Sequence, residues 1–104
     1  MQVHVSTDNH IAGPERLANY VTSVVEDSLE HFQQRITRVD VHLSDQNGHK
    51  PGADDKRCVM EVRLGGHKPI ATSHRGGSVD EAITATVEKL RRAVGNTLRR
   101  TRDN

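Results

Sequence analysis

Four residues late in the chain, Lys89, Arg92, Asn96 and Arg99, follow one another at steps of three and four, so a helix would bring them onto one face, with Arg91 at its border. Clustered cations of this kind suit a polyanion, since each phosphate neutralised releases condensed counterions and adds affinity. Lys68 and Arg75 bracket a short apolar-polar stretch just upstream. Gly76 and Gly77 follow, where backbone could approach a phosphate, and exposed amides at a helix start favour anions. The competing reading of the same residues is a solvated helix face, with Glu88 pairing Arg92 four residues on.

Other reactive residue types give less. The seven histidines include no His-x-x-x-His pair and no Cys/His cluster at ligand spacing, so no metal site is expected. His4 and His42 fall on the polar faces of two expected strands, and His67 and His74 flank another. Cys58 is the only cysteine. It reads as a small buried residue, with no motif-placed base to make it a nucleophile. Neither glycine pair ends in the Gly-Lys-Ser/Thr of a phosphate loop. No catalytic residue and no cofactor are expected, and the chain does not read as an enzyme.

Charge is divided unevenly. Residues 1–55 hold four Lys/Arg against nine Asp/Glu, whereas residues 56–104 hold eleven against five, within a net charge of +1. Such polarity hints at an anionic partner for the second half. Only 33% of the 104 residues are hydrophobic, and the aromatics are Tyr20 and Phe32, so the core must be aliphatic. The length suits one domain. No run approaches the roughly 18 apolar residues of a membrane span. The first residues lack a secretory pattern, and a lone cysteine suits a reducing compartment. A cytoplasmic protein with no membrane partner and no small-molecule substrate is expected.

These side chains need elements to position them. Residues 2–7 alternate, with Val3 and Val5 on one face of a strand. Gly13-Pro14-Glu15 reads as a helix start. Leu17, Tyr20, Val21, Val24, Val25, Leu29 and Phe32 then trace an apolar stripe of about five turns, opposite Glu26, Asp27 and Glu30. Period two returns over 36–44. Residues 45–55 read as a long polar loop, and 58–64 as a third strand. Gly65-Gly66 predicts a two-residue hairpin into a fourth strand over 68–74. Ser78-Val79-Asp80-Glu81 is a capping box opening a second helix, whose interior Gly95 weakens its last turns. The order β-α-β-β-β-α predicts an α+β fold: a four-stranded, mainly antiparallel sheet with both helices on one face. Residues 1–100 make the domain and 101–104 a disordered basic tail.

Several stretches in register resemble the ribosome hibernation-promoting factor and ribosome-associated inhibitor family. They are Arg16-Leu17-Ala18-Asn19-Tyr20-Val21, Leu29-Glu30-His31-Phe32, Arg35-Ile36-Thr37-Arg38-Val39-Asp40-Val41-His42-Leu43-Ser44, and Asp80-Glu81-Ala82-Ile83 leading into Val87-Glu88-Lys89-Leu90-Arg91-Arg92. Together they span nearly the whole chain.

The resemblance implies a fold like that of double-stranded-RNA-binding domains, with an added first strand. It also implies docking of the small ribosomal subunit and its rRNA near the decoding region, silencing idle ribosomes. The rRNA contacts would then fall to Arg16, Lys68, Arg75, Lys89, Arg91, Arg92 and Arg99. As a single domain without the dimerising extension of the long forms, the chain is expected to be a monomer. It departs from the family at residues 74–79, which are basic and glycine-rich where an acidic turn and an aromatic are usual, and in an acidic first helix. Two other readings stay open: a protein-interaction module using the sheet or first helix, and a generic structured-RNA binder without ribosome specificity.

Overall fold

The computed structural model describes residues 1–46 and 55–103, with side chains through Arg100. Its elements are β1 (Gln2–Thr7), α1 (Pro14–Ser28), a short 3₁₀ turn (Glu30–Phe32), β2 (Ile36–Asp45), β3 (Lys56–Leu64), β4 (Ile70–Gly76) and α2 (Val79–Asp103). Most of the polar loop expected over 45–55 lies outside the described residues, as does Asn104 at the end of the expected tail. Backbone of α2 runs unbroken through Gly95 as far as Asp103.

Strand alternation decides what faces what. The sheet order is β1-β2-β3-β4. β1 runs parallel to β2, with Val3 opposite Val39 and Val5 opposite Val41, and the other two pairings are antiparallel. Because side chains alternate across a strand, one face gathers Val39, Val41, Leu43, Cys58, Met60, Val62 and Leu64, all buried. Val21 and Val25 of α1 and Leu29 just beyond its end, with Ala82, Ile83, Val87, Leu90 and Val94 of α2, close over that face. Both helices therefore lie on one side, and the α+β expectation holds.

Local chemistry sets the element ends. Pro14 occupies the first turn of α1, and the preceding Gly13 adopts a left-handed φ of 59°, a conformation glycine takes without steric penalty. The α-helix stops at Ser28, and the apolar stripe continues through Leu29 into the 3₁₀ turn. Asp8 ties the β1–α1 turn to the end of β2: its carboxylate accepts from the His10 and Asp45 amides, each at 3.0 Å.

The β3–β4 connection departs from the two-residue hairpin. Its innermost pair is Val62 with Ile70, leaving a loop over 65–69 in which Gly66 has φ 81°. Pro69 has no N–H to give to a ladder, so the strand begins only after it.

A polar seam fastens α2 to the sheet. Buried Thr86 donates to the Ala82 carbonyl at 2.6 Å and lies 3.3 Å from the Cys58 carbonyl. Thr72 of β4 donates to the Thr86 carbonyl at 3.1 Å. The two helices are clasped at one end by Tyr20, whose hydroxyl donates to Asp80 Oδ1 at 2.5 Å.

Candidate nucleic-acid interface

The first turn of α2 sets where its cations fall. Ser78 Oγ accepts from the Glu81 amide at 3.1 Å, and Glu81 Oε2 accepts from the Gly77 amide at 3.1 Å. The capping box thus forms, reaching one residue further back than the usual pattern. This fills the Gly77 amide with the protein's own carboxylate. Gly76 is buried, and a Cβ there would stand 3.1 Å from Glu81 Cδ and 3.2 Å from the Ala82 nitrogen. Gly76 is packed tightly against the start of α2 and the Gly77 amide is already taken, so the structure does not present Gly76-Gly77 as an open phosphate approach.

On the exposed side of α2, Glu88 gathers two of the nominated arginines. Arg91 donates to it through Nη2 at 2.5 Å and Nε at 3.1 Å, and Arg92 through Nε at 3.2 Å. The Arg91 hydrogen bonds, followed by the remaining attraction of both guanidinium groups, hold the Glu88 carboxyl below its ordinary range. An exposed cluster of this sort contributes little to stability. Its consequence is electrostatic, because one carboxylate offsets part of the positive face.

Lys89 leaves that cluster. Its ammonium donates to the Ser73 carbonyl at 2.9 Å and lies 3.2 Å from His74 Nδ1. The lysine therefore lies along the free edge of β4, covering a backbone acceptor that an edge strand leaves open. Arg99 is exposed farther along the same helix.

The remaining nominated residues are dispersed. Arg16 sits in the first turn of α1, beside Glu15 in an open hollow that also includes Tyr20. Lys68 is exposed in the β3–β4 loop. Arg75 lies at the other end of β4, where register places it directly opposite Arg57 on the sheet face away from the helices. The structure thus groups Arg91 and Arg92 on Glu88 and lays Lys89 against the β4 edge, with Arg75 on the opposite sheet face and Lys68 and Arg16 apart from both. Arg57, unremarked in the sequence reading, joins Arg75. Only strand register could have revealed it.

His4 is opposite Asp40, and His42 opposite Ser6, so the two histidines are diagonal neighbours. Among the described residues, no group of three or more His, Cys, Asp or Glu is placed to hold a metal ion. No described helix is long and apolar enough to cross a membrane. Lys56 is held by Asp55 at 2.8 Å and Asp45 at 3.4 Å, which raises its pKa, mainly through the Asp55 hydrogen bond.

A four-stranded, mostly antiparallel sheet with two helices on one face defines an α+β domain, an architecture compatible with that of double-stranded-RNA-binding domains. The chain matches the family model described as sigma 54 modulation protein / S30EA ribosomal protein over residues 3–102, and it belongs to that family of ribosome-associated factors. Among solved structures it is similar to a ribosomal subunit interface protein from Coxiella burnetii, at 12% identity and a TM-score of 0.70, covering 93% of this chain and 97% of that one. It is also similar to the N-terminal domain of Protein Y from Thermus thermophilus, at 17% identity and a TM-score of 0.73, covering 93% and 99%. At such identities the likeness establishes the fold alone. Comparison with curated proteins gives no match.

Proposed function

We propose that this chain is a ribosome-hibernation factor that binds small-subunit rRNA near the decoding region and silences translation. Membership of the ribosome-associated family over residues 3–102 carries this reading. The exposed cations of α2 supply a means: Lys89, Arg91, Arg92 and Arg99 form the main contact, with Arg16, Lys68 and Arg75 as outlying ones. Phosphate contacts position a protein on structured RNA without base stacking, which suits a chain whose only aromatics are Tyr20 and Phe32. The protein acts as a cytoplasmic monomer, without catalysis, metal or cofactor.

The test is sedimentation with purified small subunits across a salt series. Retention at low salt that falls steeply as salt rises is expected, as is its loss in R91E/R92E. Protein remaining in the supernatant at low salt would exclude the reading. A salt-insensitive partner that tolerates R91E/R92E would favour the protein-interaction alternative.

A further inference from the structure

Two arginines stand side by side on the open face of the sheet. Arg57 of β3 and Arg75 of β4 are register partners, and directly opposed residues of an antiparallel pair project from the same face. Opposition of like charges in that geometry is destabilising. The other two arginines of this face are each relieved by an acid on their own strand: Arg38 by Asp40 at 3.0 Å and Arg63 by Glu61 at 3.5 Å.

Among the described residues, Arg57 and Arg75 have no such partner. Of the carboxylates at this end of the sheet, Asp45 and Asp55 are engaged by Lys56 and Asp8 by the His10 and Asp45 amides. The register neighbours of the pair are Ser44, His42, Val59 and Ser73, none of them acidic. Lys89, reaching the Ser73 carbonyl over the β4 edge, brings positive charge from α2 to the border of the same patch.

We infer that Arg57 and Arg75 form a phosphate clamp on the open sheet face, through which the protein grips a second stretch of RNA backbone besides the one held by α2. Paired guanidinium groups present forked donors that match phosphate oxygens. The bound phosphate removes the repulsion that the free protein carries, which favours an anionic occupant over an empty face. RNA is the occupant because the chain belongs to a ribosome-associated family, so the inference rests on the rRNA reading above.

The decisive variant is R57E, which turns the opposed pair into an ion pair with Arg75 and should fold at least as stably as the parent. R57A/R75A, which only removes the repulsion, should also keep or raise the thermal midpoint. Small-subunit affinity of the full chain is measured over a salt series for both, with R91E/R92E alongside. The clamp predicts a loss of at least about tenfold for R57E and R57A/R75A, with a salt slope shallower by about 1, as the loss of one phosphate contact requires. Parent-like affinity and slope in both would overturn it.

A plain RNA stem-loop, followed by the arginine side-chain NMR signals, separates the two claims. Shifts at Arg57 and Arg75 in a protein that ignores small subunits would retain the clamp and remove the ribosomal role. Shifts with poly-glutamate but not with RNA would assign the pair to a protein partner and overturn the clamp.

Discussion

The ammonium of Lys89 donates to the main-chain carbonyl of Ser73 at 2.9 Å, so a side chain of α2 completes the outer edge of β4. The same group is among the cations nominated for RNA, and the two duties compete. A phosphate that draws Lys89 away would expose the strand edge at the moment the partner covers it. Lys89→Ala should therefore weaken small-subunit retention and also raise self-association of the free protein, through an uncovered edge. Analytical ultracentrifugation across a concentration series reads the second effect, and unchanged monomer content would refute it.

Glu88 restrains the helix patch, since its carboxylate holds both Arg91 and Arg92. Glu88→Gln keeps the shape and removes the charge. Small-subunit affinity at about 0.1 M salt is expected to rise roughly two- to fivefold, because two cations lose their internal partner. Stability should change by less than about 0.5 kcal/mol, as usual for exposed pairs. Fluorescence titration with labelled protein measures the first and urea unfolding the second.

Gly76 and Gly77 are adjacent and should respond differently to alanine. At 76 the new methyl meets the Ala82 backbone nitrogen at 3.2 Å, and main chain cannot swing aside. A loss of about 1–3 kcal/mol is expected from overpacking. At 77 the nearest atom is the mobile Glu81 Oε2 at 3.7 Å, and the effect should stay within about 1 kcal/mol. Urea midpoints of the two variants decide it, and equal losses would contradict the packing account.

Thr86 is buried between α2 and β3, with its hydroxyl directed at the Ala82 and Cys58 carbonyls. Thr86→Val preserves volume but loses both contacts, and about 1–2 kcal/mol of stability should go with them. Equilibrium unfolding in urea checks this.

Burial pushes the Cys58 thiol up to about 11 from its ordinary 9, against a smaller opposing hydrogen bond from Thr86. Above pH 9 the unfolded chain ionises this thiol while the folded chain does not. Stability from this group is thus intact below pH 9 and declines up to pH 11, by an amount on the order of 2 kcal/mol. Tyr20 and Lys56, whose pKa values are also raised, add a loss of the same sign. Cys58→Ala should flatten the alkaline decline relative to the parent, in unfolding curves collected at pH 8, 9, 10 and 11.

Several of these relationships were legible in the residues alone, and the reasons differ. β1 falls on the expected 2–7 because Val3 and Val5 alternate with polar neighbours, and α2 opens where Ser78 and Glu81 form a box. Spacing by three suits an α-helix and a 3₁₀ turn equally, so the stripe ending in Leu29 and Phe32 did not reveal the change of helix type after Ser28. Gly65-Gly66 suggested a tight hairpin, yet Pro69 moved the first strand pair outward. The α2 cluster followed from local spacing. Arg57 and Arg75 are neighbours only through the β3–β4 register, a non-local property that no helical period encodes.

Tyr20 bears a consequence for observing this molecule. The chain has no tryptophan and this one tyrosine, and its phenol is the clasp between the start of α2 and the flank of α1. Nearly all near-ultraviolet absorption and emission therefore originates at a single helix–helix junction. The protein carries its own optical gauge there, one that senses whether the helices are seated and is blind to the sheet behind them.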